Sequence, residues 1–161
     1  VCSSDLRVES PYKTLEALIA AARTQPGTLT YASQGNGTSA HLAGEMFTNL
    51  AGLVMTHVPY RGAGPAITDL LGGQVDMIFG TAAAVSSFVE SGKLRALAVT
   101  SAQRATAFNE VPAIAESIRG YQVESWYGLY APAGTAAAVI AMLNAAAKKA
   151  AYSPEIGRAH V

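Results

Sequence analysis

Apolar positions along the chain switch repeatedly between two periods. Leu15, Leu18, Ile19 and Ala22 fall at i, i+3, i+4 and i+7 behind Thr14, and Pro26-Gly27 follows. That spacing predicts an amphipathic helix capped by Thr14 and stopped at the Pro-Gly pair. Residues 28–33 then read as a strand, Gly35-Asn36-Gly37 as a turn, and Ala43, Met46, Phe47 and Leu50 as a second helical stripe ending at Gly52. Residues 54–59 predict a strand. Ile67, Leu70 and Leu71 predict a short helix with Pro65 in its first turn and Gly72-Gly73 at its close. The rhythm continues through strand 75–79, helix 82–91, strand 94–100, a short helix at 112–117, strand 123–131 and a helix from about Ala136. Strands and helices alternating in this way predict βαβ units, hence an α/β fold with a mostly parallel sheet flanked by helices. In such sheets ligands sit beyond the carboxyl ends of the strands.

Composition narrows the classes. The chain has 161 residues, half of them hydrophobic, with 11 basic and 11 acidic side chains. A chain this apolar and this neutral can bury enough surface to offset its ordering entropy, which excludes a disordered protein. It also lacks the basic excess of a nucleic-acid surface. The Ala-rich stretch 136–151 is interrupted by Asn144, Lys148 and Lys149 and predicts a helix that does not insert into a membrane. A single cysteine, Cys2, excludes an internal disulfide and a cysteine-based zinc cluster.

The two ends share an inverted pattern. Val1-Cys2-Ser3-Ser4-Asp5 can be encoded by GTG TGC TCT TCC GAT, and Ile156-Gly157-Arg158-Ala159-His160 by ATC GGA AGA GCA CAC, its reverse complement. This reads as a sequencing adapter translated at both ends. Residues 1–6 and 156–161 are therefore expected to be non-native and to lie outside the fold.

The segment richest in candidate chemistry is Tyr31-Ala32-Ser33-Gln34-Gly35-Asn36-Gly37-Thr38-Ser39-Ala40-His41. A strand ends, glycines allow positive φ, and Thr38 or Ser39 caps a helix whose first N–H groups have no internal partner. Those donors and the helix dipole suit a carboxylate or a phosphate, with hydroxyls at Ser33, Thr38 and Ser39 beside them. The plain alternative is a well-capped turn. Gly35, Gly37 and Ala40 also fit a relaxed dinucleotide fingerprint. The acidic residue that pattern wants is missing from 56–61, where Arg61 could instead meet a 2′-phosphate. His41, in the first helical turn, suits a ligand-facing position, whereas His57 suits a half-buried strand position. Asp76 either points into a cleft or bonds a loop. The two histidines have no obvious carboxylate partner or serine nucleophile elbow, and no metal-ligand spacing is present.

Several segments together resemble the tripartite tricarboxylate transporter solute receptors, or Bug proteins. They are Tyr31-Ala32-Ser33 with residues 35–42, His57-Val58-Pro59-Tyr60-Arg61-Gly62, residues 69–76, residues 92–100, Arg104 with Val111-Pro112 and Glu116, and Trp126-Tyr127-Gly128-Leu129 through Thr135. The resemblance implies a periplasmic, two-lobed receptor of type II binding-protein fold that closes on a small organic carboxylate and presents it to a membrane permease. Residues 7–122 would form the second lobe, and 123–155 the return strand and helix of an incomplete first lobe. Ser33, Gly35, Asn36, Gly37, Thr38, Ser39 and His41 would receive the carboxylate, with Tyr60, Gly62 and Asp76 at the same cleft. Neither turnover nor a cofactor is implied. An NADP-dependent oxidoreductase and a ligand sensor for a signalling kinase are the rival readings. Gln34, Ala113 and Ala136 depart from the usual pattern without touching the expected donors.

Overall fold

The structure, a computed structural model, describes residues 2–126 and 128–153. Five strands form one sheet: β1 (Cys2–Arg7), β2 (Thr30–Ser33), β3 (Thr56–Pro59), β4 (Met77–Thr81) and β5 (Leu94–Val99), in the order β3-β2-β4-β1-β5. β2 runs parallel to both β3 and β4, and β1 runs antiparallel to β4 and β5. Four strands thus point one way and the first points back between them. Between Ser4 and Asp5 the register on β5 jumps from Ala98 to Ala96. This bulge brings Leu97 and Ala98 into the same core cluster.

The helices are α1 (Leu15–Thr24), α2 (Ser39–Ala51), α3 (Ala63–Leu71), α4 (Ala82–Glu90), α5 (Ile114–Ser117) and α6 (Ala137–Ala151), with a 3-10 turn at Thr106–Phe108. The apolar faces of α1 and α2, with Ile114 and Tyr121, cover one side of the sheet over Leu6, Tyr31, Met77 and Phe79. Ala66, Ile67 and Leu70 of α3 and Val85 of α4 cover the other side over Ala32 and Ile78. Alternation along β2 and β4 divides neighbouring side chains between the two layers, which fixes the register. Thr14 caps α1 by accepting from Ala17 N, and Gly52 ends α2 in the left-handed region. Past β5, Arg104 forks onto Glu116 through two bonds of 2.8 Å, and Glu116 also accepts from Ala113 N. The Arg104 hydrogen bond, and then that amide, hold the Glu116 carboxyl down at about 2. This clip turns the chain from β5 into α5.

Cys2–Arg7, of which residues 2–6 were expected to be non-native, is here a paired interior strand, and the compact unit spans Val1–Ser125 where 7–122 was expected. Backbone pairing is largely indifferent to side chains, so a gap between β4 and β5 accepts these residues. The cost falls on Ser3, Ser4 and Asp5, all fully buried. The strand expected at 123–131 does not form among the described residues. A strand exists only through a partner, and this stretch finds a single ladder-like bond, Val123 N to Thr100 O at 2.8 Å.

The second unit, Trp126–Val161, contains α6. None of α6 is buried, and Val139, Ile140, Met142 and Leu143 are all exposed.

Candidate functional site

β2 ends at Ser33, and the chain crosses 34–37 before entering α2. Gly35 and Gly37 take φ of 134° and 77°, values that L side chains rarely adopt. At Gly35 there is a second constraint, since a Cβ there would lie 3.3 Å from the Tyr60 carbonyl oxygen. Thr38 is the N-cap. Its Oγ1 donates to Gly35 O at 2.7 Å and accepts from His41 N at 3.4 Å. The Asn36, Ser39 and Ala40 backbone N–H groups meet no acceptor among the described residues. These amide donors lie at or just before the positive end of a 13-residue helix, where the dipole favours negative charge.

Ser33, Gly35, Gly37, Thr38 and His41 form one bonded loop. Ser33 Oγ accepts from Gly35 N at 3.2 Å and lies 2.7 Å from His57 Nε2. Gly37 N donates to His41 Nδ1 at 3.1 Å. Asn36 is exposed at the loop tip. Ser39 turns to Ser125, Oγ to Oγ at 2.6 Å, and Ser125 also meets Cys2 Sγ at 3.1 Å. The next loop joins through backbone groups, with Tyr60 N donating to Ser33 O and Gly62 N to Gln34 O. The Tyr60 hydroxyl, however, donates to Asp69 on α3 at 2.7 Å. Burial, and then that bond, push the Tyr60 phenol up to about 12.

Asp76 does not join the loop. Its Oδ2 accepts from Thr30 N and Thr30 Oγ1, both at 2.8 Å, while Asp76 N donates back to Thr30 Oγ1. The carboxylate thus locks the start of β2 to the start of β4, at the opposite ends of those strands from Ser33. Replacing Asp76 by Ala should lower stability by about 2 kcal/mol, the scale of hydrogen bonds to a charged group. Denaturation read alongside a ligand titration checks this. The expected result is a lower unfolding midpoint with unchanged affinity.

Three side chains that sequence reasoning did not assign to the site support it from below. His57 stacks between Tyr31 (centroids 4.9 Å apart) and His41 (4.2 Å). Tyr31 OH donates to Glu45, whose Oε1 also lies 3.7 Å from His41 Nε2. Desolvation, and then the neighbouring His41, hold the His57 imidazole below the usual histidine range, and Glu45 partly opposes them. The available signal was parity. In the parallel register Tyr31 faces His57, and Ser33 lies two residues on from Tyr31, on the same face of the sheet.

Among the described residues no group of three or more His, Cys, Asp or Glu is placed to hold a metal ion. Comparison with known proteins agrees with this fold. A protein from the tcbD-tcbE intergenic region of Pseudomonas sp. is 40% identical over 150 residues, which cover 92% of this chain and 45% of that one. The R. palustris protein Rpa4515, solved with adipate, superposes with a TM-score of 0.91 at 31% identity, over 96% of this chain and 52% of that one. MatC from Rhodopseudomonas palustris, solved with bound malate, gives 0.88 at 28% identity, over 98% and 54%. The chain therefore spans about half the length of these relatives, and its fold is part of a periplasmic binding protein of type II. The family described as the tripartite tricarboxylate transporter family receptor matches residues 5–160, so the chain belongs to that receptor family.

Proposed function

We propose that this chain carries one side of the cleft of an extracytoplasmic solute receptor, and that its β2–α2 loop holds a carboxylate of a small organic acid. The observation that carries this reading is the set of unpaired amides at Asn36, Ser39 and Ala40, on a fold whose relatives were solved with adipate and with malate. Ser33, Gly35, Gly37, Thr38 and His41 shape the loop, and Tyr60 and Gly62 line its rim through backbone groups. Because the donors are mostly backbone, the site attracts an anion without a net positive charge on the protein. It binds and releases its ligand without turnover and without a cofactor. In the whole receptor a second lobe closes over the ligand, and the closed form docks on a membrane permease from the periplasm. No described helix is long and apolar enough to cross a membrane. The dinucleotide reading is disfavoured because the family is one of receptors.

The test is a titration of the backbone amides with adipate, malate and NADPH by two-dimensional NMR. Adipate or malate should shift residues 33–41 most, and Thr38→Val should weaken binding about fivefold, the worth of one net hydrogen bond of ~1 kcal/mol. Shifts in this loop with NADPH and none with either acid would overturn the reading.

A further inference from the structure

Gly37 is a loop amide already engaged, and its acceptor is titratable. The lone pair on His41 Nδ1 that receives Gly37 N–H at 3.1 Å exists only while that nitrogen carries no proton. Resting on the proposed carboxylate site, we propose that His41 is a proton-operated latch. Neutral His41 holds the Gly37 amide away from the ligand, and protonation at Nδ1 releases it to the anion, so that carboxylate capture takes up one proton.

The surroundings set the stoichiometry. His41 and His57 stack at 4.2 Å with 18° between planes, and two imidazolium rings at that separation would repel strongly. The pair therefore takes up at most one proton. His57 is the ring kept neutral, because Tyr31 covers its other face and Ser33 Oγ occupies its Nε2. Its depressed basicity agrees with that assignment. The groups facing the pair are Glu45 on α2, which would meet the new charge through His41 Nε2, and Tyr31 on β2, whose hydroxyl is committed to Glu45. On β3 the neighbouring Val58 and Tyr60 pack on the opposite face of the sheet with α3, so the Tyr60–Asp69 pair does not face the rings. A proton on His41 thus changes two things for a ligand in the loop. It frees a fourth amide, and it places a positive charge in the first turn of α2, beside the Ser39 and Ala40 donors.

By reciprocity, if the bound carboxylate raises the proton affinity of the pair tenfold, low pH raises carboxylate affinity by about tenfold. The experiment has two arms on the full chain. In the first, without ligand, the Gly37 amide and the His41 ring are followed by NMR from pH 8 to pH 5. A shared midpoint is expected, and in His41→Gln the Gly37 amide should no longer titrate. Separate midpoints, or an unchanged Gly37 profile in His41→Gln, overturn the latch whatever the loop binds. In the second arm, adipate is titrated at pH 7.5 and pH 6, where it stays mostly ionised. Tighter binding at pH 6, lost in His41→Gln, supports the latch. Binding at both pH values with equal affinity overturns it and leaves the carboxylate site standing. No adipate-induced shift in residues 33–41 at either pH instead removes the carboxylate reading, and the first arm alone then decides whether His41 holds Gly37. Should His41→Gln fail to fold, His41→Asn serves both arms.

Discussion

At neutral pH, Asp5→Asn and Asp5→Val should each unfold at markedly higher denaturant than the parent chain, and the parent should lose stability steadily between pH 4 and pH 8. Asp5 is fully buried in β1, and among the described residues its only side-chain partner is the Ser3 hydroxyl, at 3.1 and 2.9 Å from its two oxygens. A Cβ on Gly80 would fall 2.5 Å from Val85 Cγ1 and 3.5 Å from Asp5 Oδ2, so glycine on β4 leaves the room the carboxyl occupies. Desolvation, only partly opposed by Ser3, raises the carboxyl from 3.8 to about 8. Between those values the unfolded chain has released its proton and the folded chain has kept it. The folded state therefore binds more protons, and unfolding free energy falls by about 1.4 kcal/mol per pH unit. The loss is absent below 3.8, reaches about 4 kcal/mol near pH 7 and levels off above about 8. His57 has the opposite sign, since its lowered basicity makes stability rise with pH through the histidine range. Subtracting the Asp5→Asn curve from that of the parent isolates the Asp5 contribution. A flat difference across pH 4 to 8 would show that Asp5 is not buried as described.

Gly44→Ala should destabilise the chain by about 2 to 3 kcal/mol and disturb the candidate site at the same time. A Cβ at Gly44 would fall 2.1 Å from Tyr31 Cε2 and 2.7 Å from two further ring carbons. The ring cannot step aside. It is buried, meets Phe79 edge-on at 5.9 Å, carries His57 on its face and is tied to Glu45 by its hydroxyl. Displacing it would tilt the whole stack beneath the β2–α2 loop. Gly64→Ala is the matched control, because it lies in α3 with nothing within 4 Å of its Cβ position. That substitution should stabilise slightly through helix propensity. The two unfolding midpoints, read with the His57 ring signals, check both effects. A Gly44→Ala protein as stable as the parent, with unshifted His57 signals, would contradict the packing described here.

Much of the fold was legible because local signals and burial agree. Thr14 before Leu15, Gly52 after α2 and Gly72-Gly73 after α3 mark helix ends by capping chemistry that does not depend on tertiary context. The loop from Ser33 to His41 was legible for the same reason, since glycines and a hydroxyl cap state their geometry locally. What escaped depends on partners distant in the chain. The 123–131 stretch has the apolar character of a strand, but among the described residues its pairing stops at the Val123–Thr100 bond. β1 buries three polar side chains and is a strand only because β4 and β5 flank it. Asp76 and Thr30 are 46 residues apart, so no spacing rule links them. Leu50 continues the α2 stripe yet is exposed, because the core contact shifts onto Ala40, Ala43, Gly44 and Phe47. His57 reads as an ordinary strand residue until the parallel register sets it beneath Ser33.

The strand order also dictates a schedule. β1 precedes β4 and β5 in the chain, yet it sits between them, and they end at Thr81 and Val99. During synthesis β1 must wait until Thr81 is made for one neighbour and until Val99 is made for the other. Loop closures of that length slow folding, and until they occur two strand edges stand open at what becomes the middle of the sheet. The interval before Val99 emerges is therefore when the nascent chain is most exposed to pairing with a second copy of itself.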